Sequence, residues 1–231
     1  MKKRLFGACF AAAVLASLSV GALAWDADFE PSTYNPAVGE SVALAVCEPC
    51  LGEGSYQYRW DFEGDGTQDL ETDDPIVNHV FDTAGFYSVE VTLVDETGRR
   101  KSKRKGILVG DEPAHAVREM VEQADGTIFV LLSLHLEATV SVPAVEESMP
   151  RGWQFELLDD GGAITRTNAV DRIYEIVWMS EADEETELTF SYRLHPTSST
   201  GTVTPLGGTF SGYVDGIRFV GEICGELEIE F

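Results

Sequence analysis

From Thr127 to Val142 the even-numbered residues are all apolar: Ile128, Val130, Leu132, Leu134, Leu136, Ala138, Val140 and Val142. Ser133, His135, Glu137, Thr139 and Ser141 stand between most of them. A helix turns 100° per residue and cannot sustain that period, whereas a strand with one buried face requires it. The run exceeds an ordinary strand in length, so a bend or a switch of sheet is expected inside it, with Pro143 closing it. The same alternation returns in Tyr87, Val89, Val91 and Leu93 against Ser88, Glu90 and Thr92. It recurs in Val42, Leu44 and Val46, and again in Tyr56, Tyr58 and Trp60. Further strands are predicted over 153–158, 174–179, 187–194, 209–214, 217–220 and 226–231. His115 to Gln123 reads as a short helix by propensity, with a strand as the alternative. The chain is therefore expected to be all-β.

Residues 1–24 stand apart from this pattern. Lys2, Lys3 and Arg4 make a basic start, an apolar run extends from Leu5 to Val20, and Ala22-Leu23-Ala24 supplies small residues at a cleavage point. That is the layout of a secretory signal peptide cut after Ala24, and nothing beyond it has stop-transfer character. Cys9 is not placed as a lipoprotein cysteine, because most of the apolar run follows it. The mature chain is expected to be secreted, periplasmic or at the cell surface. Cleavage removes three basic residues and no acid, so the mature protein is more negative than the −24 of the whole chain. Such a charge repels phosphate backbones and anionic lipid and argues against nucleic-acid and membrane-surface roles. The acids are scattered rather than grouped at ligand spacing, which favours solvation in a salt-rich setting over loading with divalent cations. A hydrophobic content of 44% supplies a packed core and excludes global disorder.

Trp60-Asp61-Phe62-Glu63-Gly64-Asp65-Gly66, then His79-Val80-Phe81, then Gly85-Phe86-Tyr87-Ser88-Val89-Glu90-Val91-Thr92-Leu93-Val94-Asp95 follow one another in order. These motifs resemble the PKD (polycystic kidney disease) repeat, an immunoglobulin-like β-sandwich found in exported proteins, over roughly residues 28–109. The resemblance implies a spacer or interaction module. A tryptophan on a central strand fills the space between two sheets, and Tyr87 falls where sandwiches use a tyrosine hydroxyl to tie a corner to backbone. Gly110-Asp111-Glu112-Pro113 has linker chemistry. The expected organisation is a signal peptide at 1–24, a PKD-like sandwich at 25–110, a linker at 111–113 and a second sandwich at 114–231. In the second half, Pro150-Arg151-Gly152-Trp153, Glu175-Ile176-Val177-Trp178 and Leu188-Phe190-Tyr192 are similar to β-sandwich stalk domains of bacterial surface proteins. The fold class is thus two tandem immunoglobulin-like β-sandwiches after a cleaved leader.

Four groups of residues carry candidate chemistry. Asp61, Glu63, Asp65 and Asp69 space carboxylates as a calcium loop does, but the place of the twelfth-position Glu is taken by Thr72. A structural turn whose Asp61 bonds the loop backbone is the preferred reading. Cys47 and Cys50 lack the βαβ setting of a redox motif; a local disulfide is expected, with a bridge to Cys224 or a buried Cys224 thiol as alternatives. His79, His115, His135 and His195 are too dispersed to suggest a ligand set. No nucleophile elbow, phosphate loop or metalloprotease motif is present, and no cofactor is implied. Arg99, Arg100, Lys101, Lys103, Arg104 and Lys105 crowd six cations into seven positions. They read either as an edge strand guarded against aggregation or as a docking patch for an acidic protein or an anionic polysaccharide.

The sequence therefore predicts an exported, non-catalytic binding, adhesion or spacer module that acts through protein or carbohydrate contacts. Two other readings are an enzyme accessory with a carbohydrate-active or peptidase site in the second half and a structural envelope component. Exposed aromatics in a row among Trp153, Tyr174, Trp178 and Tyr213 would favour sugar binding; the same residues as sandwich core would not.

Overall fold

A computed structural model describes residues 26–51, 54–197 and 203–229. The expected signal peptide at 1–24 and the terminal Phe231 lie outside them. In the first half the strands are β1 (Phe29–Pro31), β2 (Ser41–Val46), β3 (Tyr56–Asp61), β4 (Leu70–Thr72), β5 (Ile76–Val80), β6 (Gly85–Asp95) and β7 (Arg100–Val109). Next come β8 (Ala114–Glu122), β9 (Ile128–Leu136), β10 (Val140–Ser148), β11 (Trp153–Asp159), β12 (Ile164–Asn168), β13 (Ile173–Val177) and β14 (Glu181–Ala182). The chain continues with β15 (Leu188–Pro196), β16 (Thr204–Pro205), β17 (Gly208–Val214), β18 (Ile217–Glu222), β19 (Cys224–Glu226) and β20 (Glu228–Ile229). Among the described residues the one helical element is a 3-10 turn at Glu48–Cys50. The all-β class and the immunoglobulin-like layering are both present.

Alternation decides which side chains meet. Val42, Leu44, Trp60, Val89, Val91, Leu93 and Ile107 are fully buried in a first core built between the sheet β1-β2-β5 and strands β4-β3-β6-β7. A second core, with Val130, Ile176, Phe190, Tyr192 and Phe210, lies between β8-β9-β15-β11 and the sheet β12-β13-β10-β17-β18. The long alternating run switches sheets as expected: β9 ends at Leu136 in one layer and β10 begins at Val140 in the other. Pro143 does not close it. It sits inside β10 where the pairing with β17 shifts register between Ser141 and Ala144, a bulge that spares its missing N–H from the ladder. His115 to Gln123 is not a helix. Its residues pair with β9 from Ala114↔Leu136 to Glu122↔Ile128, because a strand there covers the second core and a helix would not. Of the predicted 226–231 strand, the described part falls in two short ones, β19 and β20, and residues 230–231 lie outside the described residues.

The two sandwiches share a layer. The order β11-β15-β9-β8-β19-β7-β6-β3-β4 is one nine-stranded sheet, and β19 is the strand that joins its halves. It runs antiparallel to β7 (Gly225↔Gly106, Glu226↔Lys105) and parallel to β8 (Cys224↔Val117, Gly225↔Arg118). Gly225 has φ +79° and packs where a Cβ would run into the Arg118 carbonyl oxygen, so only glycine fits there.

Candidate functional site

The glycine turn after β3 is held by its own carboxylates. Asp61, buried beside Trp60, accepts the Gly64 N–H at 2.6 Å and the Gly66 N–H at 2.7 Å, one on each oxygen. Asp69 accepts the Phe62 N–H at 2.7 Å, and Asp65 accepts that of Thr67 at 2.7 Å. Trp60 packs edge-on against Phe29 at 5.2 Å. The ring of His79 stacks on Phe62 at 3.9 Å and meets Phe81 edge-on at 4.6 Å. Burial in that aromatic stack lowers the His79 pKa, against the pull of Asp69 and Asp82. Tyr87 donates its hydroxyl to the Thr83 carbonyl at 3.0 Å, the predicted corner tie. Cys47 and Cys50 are bonded to each other, with Cα atoms 5.3 Å apart. Cys224 is a buried thiol 3.7 Å from the Tyr34 carbonyl, and burial pushes it up to about 12.

Most of the basic stretch lies on β7, at the seam between the sandwiches, and nearly all of it meets acids of this chain. Alternate residues Lys101, Lys103 and Lys105 face the lead-in segment at 26–31, which ends in β1, and β19. Lys101 pairs with Asp26 at 3.1 Å and Lys103 with Glu226 at 2.5 Å. Lys105 meets Asp28 and Glu30 at 3.1 Å each and Glu226 at 3.4 Å. It is only 5% exposed. Burial works against its charge, but Tyr34, Glu226, Asp28 and Glu30 outweigh it and keep the ammonium protonated. On the other face Arg104 pairs with Glu90, its direct cross-strand neighbour. In the preceding hairpin Arg99 pairs with Asp95 at 2.6 Å. Arg100 is exposed.

Beside this seam lies a network that sequence reading missed. Arg118, on β8 and 1% exposed, donates Nε and Nη2 to the two oxygens of Glu147 at 2.8 and 2.7 Å. Its Nη1 donates to the Glu226 carbonyl at 2.6 Å, and Tyr192 donates its hydroxyl to Glu147 at 2.5 Å. A bidentate pair with its remaining positions filled is the arrangement in which a buried charge is tolerated. Burial works against the Arg118 charge, and the Glu147 carboxylate beside it outweighs that and raises the guanidinium's pKa. It joins β8, β10, β15 and the backbone of β19. Arg118 stands in a segment read as a helix and Glu147 lies far along the chain, so nothing in the sequence announced the pair.

A second missed contact is His115 beside His135. The two are register partners on β8 and β9, their ring centroids 4.8 Å apart and their planes 17° from parallel. Burial and the neighbouring imidazole pull His115 down to about 4. The Asp125-Gly126 turn was the available signal: with a strand before it, hairpin register sets residue 115 against 135. Of the aromatics considered for sugar stacking, Trp178 and Tyr174 are core, Trp153 is half-buried and Tyr213 is exposed. They do not form an exposed row.

No curated protein sequence matches the chain. Among solved structures it is similar to a chitinase from Bacillus thuringiensis, at 9% identity and a TM-score of 0.41, over 78% of this chain and 28% of that one. It is also similar to a carbohydrate-binding module of the β-sandwich superfamily, at 14% identity and a TM-score of 0.34, over 89% and 98% of the two chains. A collagen adhesin from S. aureus aligns at 9% identity and a TM-score of 0.32, over 89% and 94%. The PKD domain family matches residues 29–105. With the Trp60 core, the Asp61 turn and the Tyr87 corner all in that span, residues 29–105 of this chain are a PKD domain.

Proposed function

We propose that this protein is an exported, non-catalytic spacer and contact module, two β-sandwich units at residues 25–110 and 114–231 held as one stiff body. The leader at 1–24 and the PKD domain support export to the cell surface or beyond. The observation that carries the reading is the shared sheet. β19 pairs with β7 on one side and β8 on the other, and Arg118 holds its backbone while Lys103 and Lys105 pair with its Glu226. A hinge between two sandwiches would leave their relative angle free, whereas a continuous ladder transmits orientation and force from one to the other.

The basic stretch has its main role in this seam. Lys101, Lys103, Arg104 and Lys105 neutralise acids of the lead-in segment, β6 and β19, so the surface left for a partner is made of the loops and exposed edges. Contact with protein surfaces fits that better than stacking on sugar rings, because the aromatic residues are mostly committed to the cores.

Small-angle scattering of the full chain in parallel with two-probe unfolding tests the proposal. The expected result is one elongated particle with no interdomain flexibility and coincident transitions for both halves. Separate transitions, or scattering that needs an ensemble of domain angles, would overturn it. Turnover of glycans or peptides by the purified chain would overturn the non-catalytic part.

A further inference from the structure

His115 and His135 face each other at the open end of the β8–β9 hairpin, away from its turn, both reaching the surface: His135 is exposed and His115 half-buried. Directly opposed residues of an antiparallel pair have Cβ atoms about 4.5–5.5 Å apart. Two imidazoles on such a base can close on one cation, with nitrogen–metal bonds of about 2.0–2.1 Å, by rotating about χ2 out of their stack. His115 Nδ1 is shielded from solvent and has no hydrogen-bond partner, so a ring nitrogen of the pair is unused as the side chains stand. The rings form one wall of a 510 Å³ cleft whose rim carries Glu137, Glu184, Glu185 and Glu187. No Lys or Arg pairs with these four carboxylates among the described residues, unlike the acids along β7.

We propose that His115 and His135, with a carboxylate from Glu137 or the 184–187 turn, bind one divalent transition cation of the Zn²⁺ or Ni²⁺ class. Paired imidazole nitrogens select borderline metals, while Ca²⁺ and Mg²⁺ prefer an all-oxygen shell. The cation would tie the β8–β9 hairpin to the turn before β15. It needs no exposed cysteine, which suits a chain whose described cysteines are either bonded or buried.

Calorimetric titration of the EDTA-stripped full chain with ZnCl₂, NiCl₂ and CaCl₂ tests this. One equivalent of Zn²⁺ or Ni²⁺ is expected to bind and Ca²⁺ is not, with a rise in melting temperature on Zn²⁺ addition. His135→Asn should weaken Zn²⁺ roughly tenfold or more, since loss of even an outer-shell group costs that much, and the double variant His115→Asn/His135→Asn should abolish the site. His195→Asn, on another strand beside Glu156, should change nothing. If the double variant does not fold, His135→Asn decides alone, because that side chain is exposed. Absence of saturable binding, or Zn²⁺ uptake that survives His135→Asn as an adventitious ion on carboxylates only, would overturn the proposal.

Discussion

Asp61 shows how one side chain specifies a turn: both its oxygens are used by backbone N–H groups that a glycine-rich loop leaves without partners. Hydrogen bonds to a charged acceptor contribute about 1.5–3 kcal/mol each, so Asp61→Ala should destabilise the chain by roughly 3 kcal/mol in urea. Because those oxygens are already engaged, added CaCl₂ should leave the wild-type midpoint unchanged; a rise would restore the calcium reading of this loop. His79 adds a pH dependence of known sign. Its folded pKa lies below the ordinary 6.5, so the unfolded state binds more protons in the window beneath that value. Stability from this group is complete above pH 6.5 and falls as the pH drops below it. His79→Phe keeps a ring between Phe62 and Phe81 and should give a shallower fall; an unaltered slope would remove His79 from the account.

At the scale of the element, β19 matters most. It is three residues long, all buried, and holds its place through two neighbouring ladders, the Gly225 backbone and the Arg118–Glu147–Tyr192 network. Glu147→Ala would leave Arg118 charged and unpaired in the core, a loss of about 3–5 kcal/mol. Replacing all three members, Arg118→Met with Glu147→Leu and Tyr192→Phe, should recover much of that by chemical denaturation, because none of the new side chains needs a partner. Gly225→Ala acts on the same element by a different route. An L-residue at φ +79° and a Cβ against the Arg118 carbonyl would expel β19. Two resolved transitions should then replace one, and a single unshifted transition would mean that β19 does not couple the halves.

Over the whole molecule, net charge and local charge act in opposite senses. The −24 of the chain repels itself, whereas the cations of β7 are concentrated where acids of the lead-in segment and β19 converge. Salt screens the exposed, long-range repulsion far more than the buried pairs around Lys105. The urea midpoint should therefore rise between low salt and 1 M NaCl. A fall would mean that the seam pairs are worth more than the repulsion they oppose.

Period-two alternation, glycine at turns and the Trp60, His79 and Tyr87 motifs were legible in the amino-acid order because each is a local instruction: a strand face, a positive φ, a corner. They were enough for the all-β class, the PKD span and the change of sheet after Leu136. Tertiary structure alone decided what the local pattern could not encode. His115–Gln123 has helical propensity, yet it is a strand because the apolar face of β9 needs a neighbour. The same pairing brings His115 to His135, and Arg118 meets Glu147 only once two sheets have stacked. The basic run, ambiguous as a string of cations, became a seam when Asp26, Asp28, Glu30 and Glu226 arrived from distant parts of the chain. Contacts across large sequence separations depend on how sheets pair and pack, and a side chain's partner there is set by register rather than by its neighbours in sequence.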